Sequence, residues 1–576
     1  MKKGQKQTPD QLLRRKQTAF RRKIRNIFTG AGFEHIPTLG KEFKVGFRKI
    51  EIDALFAYEN IIIVSEETCR ANKDRDHIRT KNEAFHEINS NLRCFFEFVK
   101  HICPEKADIF TRYTVERYQV FYFYISDSEI VISDDERSLY SNLLFINPRI
   151  LNYFQWMVQC IRKSAKYEIF RFLSLNSDLI GRVKSDSERT TIKAPIIYPE
   201  DITGLRNEVR VISFMMSAEK LLETCYVLRK DNWADSLYLY QRLIDKAKIR
   251  SIRNYLAKNG EAFYNNIIVA LPDNLNFIDV SGKAKTISEI GNFEPGCKLE
   301  IPNEMNSICV IDGQHRIFAH FEGLANDRHE KKISELRKQL HLLVTGLLFP
   351  PGMPENERVK IQSEIFLDIN SNAKPVPPDV LLQIETLKDP LSDIALARRV
   401  IEKLDKQQIF HNMFEFSLLE GSKIKIASII KFALRYLVTT KPSENNLSLY
   451  NFWTGDKESL LSENMHAYES YIDFCVTNIC IYFSAIKKNL RHTWENTDSK
   501  LLSVISINGF IIALNRQLKF NGIKDFAFYD EKFKNWRFDF SKENFPYTSS
   551  QYRRFSTIIL KDVFSISETD AISDKT

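Results

Sequence analysis

Residues 307–325 leave the chain few ways to fold. Four apolar side chains, Ile308, Cys309, Val310 and Ile311, run directly into Asp312-Gly313-Gln314-His315-Arg316, and Ile317, Phe318, Phe321 and Leu324 follow at helical spacing. A short apolar run that stops at glycine reads as a buried strand, and glycine permits the tight turn into the helix. Amides at a helix start attract anions, and Arg316 adds a fork suited to phosphate. His315 can donate, or titrate near neutral pH, while Asp312 can cap the helix or help hold a metal. Packing alone explains such a polar corner poorly, so the chain is expected to be α/β and to bind an anion.

At 576 residues the chain is long enough for three or four domains at about 150 residues each. Charged residues make up 27% and hydrophobic residues 43%, which excludes a disordered or collagen-like chain. Nine scattered cysteines with no CxxC argue against a disulfide scaffold or a zinc ribbon, and Cys475 and Cys480 fall on roughly opposite helix faces. No apolar run reaches the ~18 residues of a membrane span, so a soluble, cytoplasmic protein with no membrane partner is expected. The net charge of +9 is concentrated in residues 1–25, where ten basic side chains face one acid. The remaining residues balance to zero.

Thr8-Pro9-Asp10-Gln11 fits a capping box, and Leu13, Phe20, Ile24, Ile27 and Phe28 recur at helical spacing up to Gly30. Residues 1–29 therefore read as a basic arm and amphipathic helix. Its outer face, carrying Arg14, Arg15, Arg21, Arg22, Lys23 and Arg25, either contacts DNA phosphates or is simply solvated. Residues 49–57 alternate, residues 58–60 make a turn, and residues 61–68 begin continuously apolar, which predicts a hairpin with its second strand central. One long helix through Ile78, Phe85, Ile88, Leu92, Phe95, Val99 and Ile102 should follow, then a strand over 118–125.

Asp53 and Glu66 then converge at one sheet edge, where carboxylates suit Mg²⁺ or Mn²⁺. The arrangement resembles the PD-(D/E)XK nuclease core, whose pattern is Asp, then Glu-x-Lys on the next strand, then a helix. Thr68 stands where that family keeps lysine, leaving Lys73 or Lys81 as substitutes. A nuclease-like fold with a dead or purely binding site is the alternative.

Asp312-Gly313-Gln314-His315-Arg316 resembles the signature of DGQHR-domain proteins, the group containing DndB, which is similar to the wider ParB/sulfiredoxin superfamily. Three flanking segments strengthen the likeness. Leu239-Tyr240-Gln241-Arg242-Leu243 precedes a basic helix with Lys248, Arg250, Ile252, Arg253 and Tyr255. Phe263-Tyr264-Asn265-Asn266-Ile267-Ile268-Val269 resembles the family's strand, with tyrosine in place of proline. Asn370, Lys374, Pro375 and Val376 match the family's downstream element. The resemblance implies a nucleotide or phosphodiester pocket formed by Asp312, Gly313, Gln314, His315 and Arg316, closed by Tyr240, Gln241 and Arg242 on one side and by Asn370 and Lys374 on another. It implies NTP as ligand, with Asp312, His315 and Arg316 as catalytic candidates. A Walker-type P-loop is absent.

The expected organisation is a basic helix over 1–29, a nuclease-like module over 30–190, a ParB-like DGQHR domain over 191–380 and a mostly helical region over 381–576. Residues 185–191 read as a linker, and a helix through Leu151, Phe154, Met157, Val158 and Ile161 reads as core. The aromatic and basic stretch 520–564 either stacks nucleobases or packs internally. Two functions fit. One is an enzyme of DNA modification or phage defence that uses NTP and a metal, acting with DNA and the other proteins of its operon. The other is a non-catalytic DNA-binding regulator resembling DndB. A homo-oligomer is compatible with either.

Overall fold

The computed structural model describes residues 9–566 apart from 46–47, 70–74, 131, 133, 183–188, 194, 199–203, 205–208, 230, 232, 234–238, 287–288, 290–296, 371–383, 388, 412, 417–423, 444–445, 463 and 549–550. The chain forms two compact units, one of Met1–Ser236 with Gln241–Arg358, the other of Leu237–Tyr240 with Val359–Thr576. It is mixed α/β with several sheets and a helical C-terminal region, as expected at that coarse level.

The first unit opens with α1 (Pro9–Gly30), β1 (Glu34–Pro37), the small hairpin β2 (Glu42–Val45) and β3 (Arg48–Glu51), then β4 (Ala54–Tyr58) and β5 (Ile61–Thr68). Helices α2 (Arg75–Ser90) and α3 (Leu92–Ile102) lead to β6 (Gln119–Ser126), α4 (Asp134–Leu139), β7 (Leu144–Ile146), α5 (Pro148–Ile161) and α6 (Lys166–Phe172). The five strands lie in the order β1-β4-β5-β6-β7. β5, buried along its whole length, pairs antiparallel with β4 across the two-residue turn Glu59-Asn60 and parallel with β6. This is the hairpin and central strand read from the alternation.

The single helix expected across residues 78–102 is two helices. Asn91 leaves the helical region, with φ −128° and ψ 35°, and its side-chain amide donates back to the Glu87 carbonyl at 2.9 Å. Asparagine competes with the helix ladder in this way, which the apolar periodicity conceals. The core helix α5 forms as expected, with Asn147 accepting the Ile150 amide at 2.9 Å and Pro148 opening the first turn.

Next come β8 (Arg189–Lys193), β9 (Ile196–Tyr198), β10 (Arg210–Ser217), α7 (Ala218–Thr224), β11 (Cys225–Tyr226), α8 (Lys246–Asn259), β12 (Ile267–Ala270), β13 (Asn276–Ile278), β14 (Ala284–Lys285), β15 (Lys298–Pro302), β16 (Ile308–Asp312), α9 (Gln314–Phe318), α10 (Glu330–Gln339), β17 (His341–Leu348) and α11 (Glu355–Asn370). Six strands make a mixed sheet, β11-β16-β12-β17-β10-β9, and four make a second, β14-β13-β15-β8. The expected linker over 185–191 is partly strand, because Thr190 and Thr191 pair with Ile301 and Glu300.

One continuous core joins the two larger sheets. Phe28, Phe56, Phe123, Phe154 and Met157 belong to the same apolar cluster as Ile212, Phe214, Val269, Val310 and Phe318. A buried polar cluster sits beside it. The Arg229 guanidinium, fully enclosed, donates to Glu168 at 2.5 Å and to Gln314 at 3.0 Å, and lies 4.9 Å from the centre of the Phe318 ring. The Tyr153 hydroxyl donates to the other Glu168 oxygen at 2.9 Å, and Arg171 pairs with Asp231.

The second unit has its own helical core, with Val400, Leu437, Tyr471, Phe483, Phe510 and Phe555. Gly509 lies against the Phe555 ring, so closely that a Cβ would fall 2.4 Å from it. Tyr529, Phe533, Trp536, Phe540 and Phe555 are all buried, so this aromatic stretch packs internally.

A buried charge that loses its partner is costly. Arg229→Ala should lower unfolding free energy by roughly 3–5 kcal/mol, because Glu168 loses its short partner and keeps only the longer 3.6 Å pairing with Arg171. Urea denaturation of Arg229→Ala beside Glu168→Gln/Arg229→Met measures this. The paired replacement should cost clearly less than the single truncation.

Candidate functional site

The corner after β16 is built as the sequence requires. Gly313 has φ +100°, and a Cβ there would lie 3.0 Å from Ile267 Cγ1 and 3.1 Å from an Arg316 nitrogen, so both conformation and space demand glycine. Two buried arginines fix the short helix α9 from behind. Arg253 donates to the carbonyls of Ala319 and Phe321 at 3.2 and 2.8 Å, and Arg337 donates to those of His320 and Phe321 at 2.7 and 3.0 Å. Glu330 accepts from both guanidiniums, at 2.7 Å from Arg253 and 2.8 Å from Arg337, and Asp327 accepts from Arg253 at 2.9 Å. Carbonyls at a helix end need such donors when they are enclosed.

Inside this frame the signature residues divide by task. Gln314 is buried; besides accepting from Arg229 it donates weakly, at 3.4 Å, to the Gln241 side chain and the Arg242 carbonyl. The Gln241 amide in turn donates to the Val310 carbonyl on β16. The element Gln241-Arg242 is thereby stitched to the corner. His315 is also buried, and its Nε2 accepts the Asp245 amide at 3.0 Å, just where Asp245 caps α8.

Burial and the nearby Lys248 and Arg242 push the His315 pKa down to about 3. His315 is therefore neutral at physiological pH with its Nε2 lone pair occupied and its proton on Nδ1, which corrects the expectation that it titrates near neutrality and leaves Nδ1–H as its donor. Arg316 pairs with Asp312 at 2.6 Å. Lys248, which lies outside the sequence-derived site, belongs to this cluster: burial, Arg242 and Arg316 lower its pKa, and Asp312 and Asp245 oppose them. Its position one helical turn after the Asp245 cap was the available signal.

The structure thus brings together Gln241, Arg242, Asp312, Gly313, Gln314, His315 and Arg316. Tyr240 and Asn370 belong to the second compact unit. Tyr240 is buried there with its ring 5.5 Å from Phe366, and Asn370 donates back to the Phe366 carbonyl at 2.8 Å. Lys374 lies outside the described residues.

Helix α1 buries Ile24, Ile27 and Phe28 and exposes Arg14, Arg15, Arg22 and Arg25. At 3.6 residues per turn these four arginines fall within an arc of about 100°. Arg21 and Lys23 do not join that face. Arg21 pairs with Asp53 at 2.6 Å, and Lys23 donates to Asn152 at 2.7 Å with its pKa lowered by burial. Both are expected among the DNA-facing cations; Arg21, about 20° beyond the arc, is drawn to Asp53, and Lys23 lies about 80° beyond its other edge.

The carboxylates Asp53 and Glu66 do converge, joined by Glu67. One Asp53 oxygen pairs with Arg21 and the other accepts the Glu67 amide at 2.8 Å. Glu66 pairs with Lys81 at 2.6 Å and with His77 at 3.3 Å. Lys81 therefore stands beside the carboxylates where Thr68 does not, whereas Lys73 lies outside the described residues. Burial and the Glu66 charge raise the Asp53 pKa. Burial works to raise Glu66 as well, but His77 and Lys81 prevail and hold it low.

Glu67 is pushed up to about 8 by burial and by Asp53. All four oxygens of the Asp53–Glu66 pair are thus engaged by the protein's own cations and donors. Among the described residues no group of three or more His, Cys, Asp or Glu side chains is arranged to hold a metal ion.

Glu67 should keep its proton at neutral pH. The folded chain then holds one more proton than the unfolded chain from the ordinary glutamate range up to about pH 8, so stability falls as pH rises through that window. The thermal midpoint should drop between about pH 5 and about pH 8, and Glu67→Gln should flatten the drop. An unchanged drop in the variant would assign it to another group.

The family model for DndB, described as DNA-sulfur modification-associated, matches residues 202–538. The match takes in the Asp312–Arg316 corner and most of the helical unit, and begins after the sheet that carries Asp53 and Glu66. No curated protein and no solved structure gives a significant match. With more than half of its length matched, the chain belongs to the DndB family of DNA-sulfur modification-associated proteins.

Proposed function

We propose that the chain is a DNA-associated protein of a DNA-sulfur modification or defence system, with a DGQHR corner that binds a phosphate group of nucleotide or DNA without cleaving it. One observation carries the reading: Arg242, Lys248 and Arg316 converge on a corner that holds three cations beside the two carboxylates of Asp312 and Asp245. An anion relieves that crowding of like charge, and the arginines supply forked donors. The non-catalytic reading is supported by His315, which is buried, neutral and already bonded through Nε2. A general acid or base needs a titrating group within reach of the reacting atom. Helix α1 supplies a second, sequence-independent contact to DNA through Arg14, Arg15, Arg22 and Arg25. The resemblance of Asp312-Gly313-Gln314-His315-Arg316 to the DGQHR signature supports the phosphate reading.

A nuclease reading of the N-terminal module finds support in the order of Asp53, Glu66 and Lys81, which parallels the PD-(D/E)XK pattern with the lysine moved to the following helix. The Arg21–Asp53 pair favours a binding role over cleavage. DNA, and operon proteins that handle the same modification, are the partners this reading implies.

Arg316→Ala and Lys248→Ala should each weaken binding of a nucleoside triphosphate about tenfold in calorimetry, a loss of ~1.4 kcal/mol. The wild type should show no turnover with Mg²⁺ or Mn²⁺; hydrolysis abolished by His315→Asn would overturn the non-catalytic assignment. Replacing Arg14, Arg15, Arg22 and Arg25 together by alanine should reduce the slope of log affinity for duplex DNA against log salt by roughly 3–4, at about 0.9 per phosphate contact. Lys23→Ala should leave that slope where it was.

A further inference from the structure

The exposed side of α8 continues outward from the phosphate corner. Lys248, Ser251 and Tyr255 follow one another at helical spacing on the solvent side, opposite the buried Ile249, Arg253 and Leu256. Tyr255 is 41% exposed, although its ring stacks on Phe263 with centroids 4.9 Å apart and planes at 28°. One residue further along the loop, Tyr264 is 95% exposed, an unusual position for a large ring, and the same loop leads into Ile267 beside Gly313. Lys258 adds another exposed cation on the last turn of α8. Cations at one end and solvent-facing rings along the same face are the two parts of a surface that tracks an unpaired strand: the cations hold backbone phosphate and the rings stack bases. Seven residues of helix separate Lys248 from Tyr255, about 10 Å of rise, a span that an extended strand covers with a phosphate and a neighbouring base.

We propose that the corner formed by Arg242, Lys248 and Arg316 receives a backbone phosphate of unpaired DNA and that Tyr255, held flat by Phe263, stacks an adjacent base, with Tyr264 as a second ring. The inference rests on the phosphate reading of the corner and narrows its ligand to a single strand. Duplex DNA cannot present a free base face to Tyr255, so the α8 surface discriminates against it. The α1 arginines, which contact phosphate alone, accept either form.

The test uses the full chain and labelled oligonucleotides in fluorescence anisotropy, comparing a natural single strand, the same strand with abasic sites, and a duplex. Tyr255→Ala should weaken the natural strand at least about fivefold, leave its salt slope unchanged, and leave the duplex and abasic strand unaffected. Tyr255→Phe should restore binding, and Lys248→Ala should lower the single-strand salt slope by about 0.7. Equal wild-type affinity for natural and abasic strands would overturn the proposal without recourse to any variant, as would a Tyr255→Ala protein that folds normally and binds as the wild type does. Nucleoside triphosphate binding, measured on the same samples, separates the two failures. If it persists and depends on Arg316, only the strand assignment falls; if it is absent, the phosphate corner falls as well.

Discussion

The enclosed Arg229 is the interaction on which the first unit depends. A guanidinium without water is tolerable only when its charge is met, and two segments far apart in the chain share that work here. Glu168 comes from the helices that close the N-terminal sheet, Gln314 from the signature corner, and Phe318 supplies a ring face from the same short helix. Removing any one leaves the others with an uncompensated group. The signature glutamine is thus chiefly an anchor, and the corner's geometry is set from a distance by residues of the preceding module.

The same logic sorts the rest of the corner. Groups that look chemically active in the sequence turn out to be spent on structure: Gln314 on Arg229, and His315 on the Asp245 amide. What remains outward-facing is charge, from Arg242, Lys248 and Arg316. An arrangement of fixed donors on a braced turn suits recognition of an anion more than proton transfer. The carboxylate cluster near α1 shows a parallel economy, since Arg21 and Lys81 meet the charges of Asp53 and Glu66.

Much of this was legible in the sequence, for identifiable reasons. The hairpin of β4 and β5 and the glycine turn at Gly313 follow from alternation and from the one residue type that tolerates a positive φ. The break at Asn91 was hidden because apolar spacing continues across it. Arg253 was read as one cation of a basic helix, and it shares the inward stripe of Ile249 and Leu256 and is buried. Of the α1 cations, Arg21 is engaged by Asp53 and Lys23 by Asn152, contacts with distant residues that a count of charges does not carry. Arg229 left no signal: it lies in a stretch without periodicity, and its three partners are 61 to 89 residues away along the chain.

The continuous core has a practical meaning for where this protein can be cut. The family match opens at residue 202, yet Phe214, Val310 and Phe318 lie in one apolar cluster with Phe123, Phe154 and Met157, which precede it. A fragment trimmed to the matched span would present that interface to solvent and strand Arg229 without Glu168. The matched region is a unit of ancestry, and the unit of folding is larger, so expression boundaries belong ahead of α1.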